Sequence, residues 1–186
     1  MKHLRYGGST AARTYACPGW VEQSKDIPKR PAGQAAIDGS MHHEVMERCQ
    51  RDEVTPEQCL GLIYKEDGVT REFTEDDLDL SNIAYNAANA VMDTLDIDEL
   101  LVEPFLQIIE GEAGGSIDLL GLSADKKTLM VLDYKFGRKK VKAIKNAQLM
   151  FYALCAMRDA QTSDMFKHLV DIQCVIIQPY NKTAVD

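Results

Sequence analysis

From Ile83 to Leu95 apolar residues recur at helical spacing, at Ile83, Ala87, Ala90, Val91 and Leu95, which predicts a helix over 81–95. Residues 40–50 read the same way. Three strand-like runs follow in quick succession: LVEPFLQII (101–109), GSIDLLGL (115–122) and LMVLDYKF (129–136). The segments between them, EGEAG and SADKK, are short polar turns and predict a hairpin meander. A helix is expected over 142–159, then a last apolar strand, DIQCVIIQ (171–178), with the closing NKTAVD as a loop. The order of helices, three strands, helix and strand predicts an α/β fold, a mixed β-sheet flanked by helices. No internal repeat, low-complexity tract or linker interrupts it. The chain therefore reads as a single domain over 1–186, with a helical region 1–100 and an α/β core 101–178.

Composition changes this picture little. With 186 residues, 45% hydrophobic and 27% charged, the chain is long enough for a real core and reads as an ordinary globule. No apolar run approaches a membrane span and no signal peptide precedes the first motif, so no membrane partner is expected. Five cysteines, an odd number without framework spacing, point to a reduced, cytoplasmic protein.

Charge changes more. The net charge is −8, but it is segregated. From Glu66 to Glu103 there are twelve acids and one base, Arg71, whereas Lys126 to Lys145 holds eight bases and one acid, Asp133. A weaker basic stretch runs from Lys2 to Arg30, with six bases and two acids. Charge runs usually form solvated faces. This basic run, however, surrounds an acid and a lysine at the end of an apolar strand, and that favours a polyanion approaching Lys135.

In VLDYKFG (131–137), Asp133 and Lys135 lie two apart in a strand and so point to one side. Asp118 sits in the preceding run between Ile117 and Leu119. Two carboxylates converging from adjacent strands repel unless a proton or a cation lies between them. Hard oxygen donors of this kind suit Mg²⁺ or Mn²⁺. A lysine beside them can orient a water and favour its deprotonation, which together make a site for phosphodiester hydrolysis. The triplet also fits an Asp–Lys pair at a sheet edge with Asp118 in an ordinary turn, and D-x-K triplets arise often by chance.

Five pieces, taken in order, resemble the RecB-like nucleases of the PD-(D/E)xK superfamily, particularly their stand-alone phage members. STAARTYACPGW (9–20) is similar to the serine-led helix ending in Cys-Pro. GSMHHEVME (39–47) resembles the glycine, three residues, histidine motif, and places the functional histidine at His43, not His42. VEPF (102–105) is similar to the glutamate-bearing strand, GSIDLLG with VLDYKFG to the central motif, and QLMFY (148–152) to the Gln-x-x-x-Tyr helix. The resemblance implies a restriction-endonuclease-like core. It implies His43, Asp118 and Asp133 as side-chain metal ligands, with the main-chain carbonyl of Tyr134 beside them. Lys135 would assist the attacking water. Glu103 would bind a second ion, orient a ligand or pair with a base. Gln148 and Tyr152, on one helical face, would aim at the lysine, the water or the DNA backbone; helix packing is the other reading of that pair. His43 shares its helix face with Glu47, one turn on. Its imidazole tilts the site toward Mn²⁺.

Some relatives hold an iron–sulfur cluster through one early and three late cysteines. Cys17 stands at the early position, but only Cys155 and Cys174 follow the motifs, and four thiolates are normally needed. No iron–sulfur cluster is expected, and Cys17 is expected to be buried and apolar. There is no G-x-x-x-x-G-K-[ST] phosphate loop, so ATP-driven translocation would come from a partner. The resulting expectation is an Mg²⁺- or Mn²⁺-dependent deoxyribonuclease, an exonuclease before an endonuclease, in phage or prokaryotic DNA recombination and repair. DNA is the partner, met by Arg138, Lys139, Lys140, Lys142 and Lys145 as the next helix begins. A helicase or a single-strand-annealing protein would work beside it. Two alternatives stand: a non-catalytic nucleic-acid-binding or assembly module that kept the fold, and a hydrolase of another phosphate ester.

Overall fold

The computed structural model describes residues 4–28, 31–181 and 183–186. Of the weaker basic stretch, Lys2, Lys29 and Arg30 lie outside the described residues. In chain order the elements are α1 (Ala11–Ala16), α2 (Trp20–Ser24), α3 (Gln34–Arg51), β1 (Ile63–Glu66), β2 (Val69–Glu72) and α4 (Glu75–Thr94). Then come β3 (Ile97–Val102), β4 (Phe105–Ile109), β5 (Ala113–Ser116), β6 (Leu119–Ser123), β7 (Thr128–Tyr134), α5 (Ala147–Arg158) and β8 (Asp171–Ile177). Among the described residues no helix is long and apolar enough to cross a membrane.

The chain divides into two compact units. The first comprises Met1–Lys29, Leu95–Asp133 and Lys142–Val175, and the second Arg30–Thr94, Tyr134–Val141 and Ile176–Asp186.

The main sheet runs β3-β6-β7-β8, with β3, β6 and β7 antiparallel. β8 follows α5 and lies along β7 in the same direction: Lys127 O accepts from Val170 N and Asp171 N at one end, and Lys135 N donates to Ile177 O at the other. This is an α/β protein with a mixed sheet flanked by helices. Every residue of β6 is buried, and so is all of β7 after Thr128, as befits strands covered on both faces.

The expected three-strand meander is cut in two. The first two runs each break in the middle, giving a separate two-stranded ribbon, β4–β5, beside the main sheet. The cause lies at Glu103–Pro104. Glu103 takes a left-handed φ of 51°, and Pro104 has no N–H to continue a ladder. Two bonds carry the pairing across the break, Glu103 N to Asp118 O (3.0 Å) and Ile117 N to Pro104 O (3.1 Å). Both acids therefore stand at a bend.

The expected helix 142–159 begins only at Ala147. The Asn146 side chain accepts from Gln148 N and Leu149 N at 3.0 and 3.3 Å, which caps the helix there, and Lys145 holds φ 58°. Residues 137–146 are thus a loop, not a helix start.

In the second unit α3 buries Ile37, Met41, Val45 and Cys49, one turn apart, and α4 buries Asp77, Ser81, Ala84 and Ala88 at helical spacing. Three acids in the first turn of α4 suit its positive end. The β1–β2 hairpin turns through Asp67 and Gly68, both at positive φ (49° and 78°), the backbone a type I′ turn requires.

Candidate functional site

Within the first unit, four expected site residues, Asp133, Gln148, Glu103 and Asp118, act on Tyr152. Asp133 ends the unit's share of β7 and is 2% exposed. The Gln148 amide, from the first turn of α5, donates to Asp133 Oδ1 at 2.7 Å and to the Tyr152 hydroxyl at 3.1 Å. Gln148 and Tyr152 are one turn apart, so a single helix face supplies the donor and supports it. Glu103 and Asp118 are half-buried, and their carboxylate oxygens approach within 4.8 Å. Burial pushes the Tyr152 hydroxyl well above the ordinary tyrosine range, and the charges of Asp133, Asp118 and Glu103 push the same way against the Gln148 bond. One phenol thus feels all three carboxylates.

Sequence reasoning missed Gly8, which makes this possible. A Cβ on Gly8 would stand 2.3 Å from a Tyr152 ring carbon, whereas one on Gly115 would meet the same ring at an ordinary contact distance of 3.6 Å. The turn over Gly8–Thr10 is brought there by Tyr6, whose backbone exchanges two 3.0 Å bonds with Glu112 and Gly114. The only trace in the sequence is the GGS ahead of the first helix.

The second unit holds the other expected residues. His43, on α3, is half-buried and meets the rings of Tyr134 and Phe136 edge-on, at 6.3 and 5.4 Å. Its neighbour His42 is buried, stacks on Phe136 at 4.7 Å, and places Nδ1 2.9 Å from Ser81 Oγ. Burial lowers the His42 pKa, against the raising charges of Asp77 and Asp38. His42 is a packing residue. Glu47, one turn beyond His43, pairs with Arg51. Lys135 is half-buried, directly after the buried Tyr134. Arg138, Lys139 and Lys140 are exposed in this unit, and Lys142 and Lys145 in the first.

The chemistry of the first unit's cluster is that of hard anionic oxygen. Two half-buried carboxylates this close, with a third acting on the same phenol, are a donor set that fits a divalent cation.

The family model for "Protein of unknown function (DUF2800)" matches residues 3–185, almost the whole chain. The chain belongs to that family. No curated protein matches this DUF2800 member. Among solved structures it is similar to protein VC1899 from Vibrio cholerae, with 11% identity, 74% of this chain and 48% of that one covered, and a TM-score of 0.29. The DUF2800 chain thus spans about half the length of that protein, and a likeness this slight carries no argument.

One cysteine of this DUF2800 protein departs from expectation. Cys17 is exposed, not buried: α1 ends at Ala16, Cys17 caps it, and Pro18 turns the chain away. Cys155 is buried on α5, where burial pushes its thiol up to about 12; Cys174 is half-buried on β8 and raised by burial too.

Proposed function

We propose that this protein is a metal-dependent DNA nuclease with a restriction-endonuclease-like core, acting as an exonuclease in phage or prokaryotic DNA recombination and repair. The observation that carries the reading is the Gln148–Asp133 bond at 2.7 Å, beside a Tyr152 hydroxyl on which the charges of Asp133, Asp118 and Glu103 all act. An amide that spends a short bond on a 2%-exposed carboxylate fixes that carboxylate's orientation, as ligand carboxylates are fixed by their supports. Asp118, Asp133 and His43 are the proposed side-chain ligands, with the main-chain carbonyl of Tyr134. Glu103, at the bend beside Asp118, orients a ligand or takes a second ion. Mg²⁺ or Mn²⁺ held there would supply Lewis-acid polarisation of a phosphate oxygen.

The rest falls to the chain. Lys135, two residues beyond Asp133, holds the attacking water against the scissile phosphate and favours loss of its proton. Gln148 keeps Asp133 in place while charge develops. Tyr152 stays protonated and props Gln148. The basic residues from Arg138 to Lys145 hold the strand by its phosphates without reading its sequence. A helicase or a single-strand-annealing protein is the proposed companion.

End-labelled linear DNA and closed circular DNA, incubated side by side with Mg²⁺, Mn²⁺ or EDTA, test this. Degradation of the linear substrate alone, abolished by EDTA, is expected. Nicking of the circle would make the enzyme an endonuclease. Well-folded protein that binds DNA and cuts neither would replace the proposal with a non-catalytic binding module.

A further inference from the structure

A fully buried glutamine is an uncommon choice next to an exposed basic loop. Gln178 follows β8, is 1% exposed, and lies in the second unit together with Gly137–Val141. Its side-chain amide uses its entire hydrogen-bonding capacity. Nε2 donates to Gly137 O at 2.6 Å and to Lys139 O at 2.8 Å; Oε1 accepts from Val141 N at 3.0 Å and from Asn181 Nδ2 at 2.6 Å. The partners also fix which end of the amide is which, because two are carbonyls and two are N–H donors. The backbone of Gln178 is itself held, its N–H by Ala184 O at 2.7 Å and its carbonyl by Asn181 N at 3.0 Å.

One side chain therefore pins the loop at Gly137, Lys139 and Val141, every second residue. The residues on that pinned backbone, Arg138, Lys139 and Lys140, are exposed cations. Arg138 is held further, its guanidinium 4.7 Å over the ring of the part-exposed Tyr180. Loops of lysines on a surface are normally mobile, and ordering them on a ligand is entropically unfavourable. Here the ordering is done in advance, by a buried amide that spends three of its four hydrogen bonds on the loop.

We infer that Arg138–Lys140 form a preorganised cradle for the phosphodiester backbone of a nucleic-acid strand, and that Gln178 is its positioning residue. The inference rests on the nuclease reading for the identity of the polyanion as DNA.

The test measures affinity for a short mixed-sequence duplex, in EDTA and across a series of KCl concentrations, alongside melting temperature. Removing charges and removing their positioning give different signatures. Lys139→Ala/Lys140→Ala should weaken binding and flatten the salt slope by roughly one unit per lost phosphate contact. Gln178→Ala and Gln178→Glu, the latter turning a carboxylate onto two carbonyls, should weaken binding about tenfold with the slope retained, since the cations still reach phosphate but must first be ordered. Added to the double lysine variant, Gln178→Ala should cause little further loss, because it acts through those lysines. Tyr180→Leu, a surface change that releases Arg138, should weaken binding about threefold, and it decides the matter if both Gln178 variants fail to fold. Wild-type affinity in folded Gln178 variants, or in Tyr180→Leu where those do not fold, while the lysine variant is weakened, overturns the positioning role alone. So does a Gln178→Ala loss that adds in full to the lysine loss. Unchanged affinity in the lysine variant removes the DNA reading of the loop, and the cradle with it.

Discussion

Lys135 separates catalysis from binding more cleanly than any other residue of the proposed site. It sits half-buried, directly after a buried aspartate and a buried tyrosine. The proposed ligands do not need it to hold an ion, and other bases share the backbone contacts. Replacing it by alanine should leave ion binding and most DNA affinity intact. What is lost is an interaction that strengthens as the nucleophile gives up its proton, so turnover should fall by about a hundredfold or more. Arginine should rescue poorly, because its planar fork is bulkier and does not deprotonate. Single-turnover cleavage, DNA affinity and melting temperature on Lys135→Ala decide it: near-wild-type cleavage with slightly lower stability would reduce Lys135 to a structural ion pair. The carboxylates have a test that needs no DNA. Acids this close repel, and a cation that binds the folded state stabilises it by mass action. Mg²⁺ or Mn²⁺ should therefore raise the melting temperature of the wild type but not of Asp118→Asn/Asp133→Asn. Equal shifts in both proteins would place the ion elsewhere.

At the scale of elements, the acids and the lysine were legible in the sequence because each sits in a run whose own periodicity marks it. How those runs break was not. The run over 101–109 is mostly apolar, broken only by Glu103 and Gln107, and only Pro104 betrays that its ladder stops there. The β1–β2 hairpin escaped because its strands, IYKE and VTRE, are charged and mostly exposed; the Asp67–Gly68 pair alone announces the turn. The basic run hid the true start of α5, which is set by the Asn146 cap and not by the periodicity. Gly8 against Tyr152 and Gln178 beneath the basic loop were invisible, since both are approaches between segments far apart in the chain. The first of these gives a prediction for the element it fixes. An alanine methyl at Gly8 would lie 2.3–2.8 Å from three atoms of the Tyr152 phenol. That ring cannot simply swing away, because its hydroxyl accepts from Gln148 and it is packed within its unit. Gly8→Ala should destabilise the protein by about 1–3 kcal/mol, the usual range for overpacking. It should also reduce cleavage through the displaced Gln148. Gly19→Ala, with nothing within 4 Å of the new methyl, is the control and should change neither. An unaltered melting temperature in Gly8→Ala would mean that the turn over Gly8–Thr10 is not held against α5 in solution.

The whole molecule is threaded in a way that its linear order conceals. The apolar pattern suggests a helical first half followed by an α/β core, yet each compact unit takes segments from both halves. The first unit needs its N-terminal segment: Tyr6 bonds to Glu112 and Gly114, and Gly8 packs on Tyr152 of α5. The second needs a late one: Phe136, from beyond β7, stacks on His42 of α3, and Gln178 holds the loop that follows Phe136. A fragment beginning at Leu101 therefore loses the turn that covers Tyr152, and it also loses all but the last two residues of β3, the edge partner of β6. It would carry Phe136 without α3 to bury it. A fragment ending at Leu100 keeps α3 and α4 but exposes the face of His42 on which Phe136 stacks. Neither retains a closed core, and small domains have little stability to spare for such losses. Expressed separately, fragments 1–100 and 101–186 should lack a cooperative thermal transition by circular dichroism. Mixed together, they should recover one, because every missing segment is then supplied in trans. A sharp melting transition in the 101–186 fragment alone would show that β6 and β7 fold without the N-terminal turn, and that Gly8 merely rests on a core already formed.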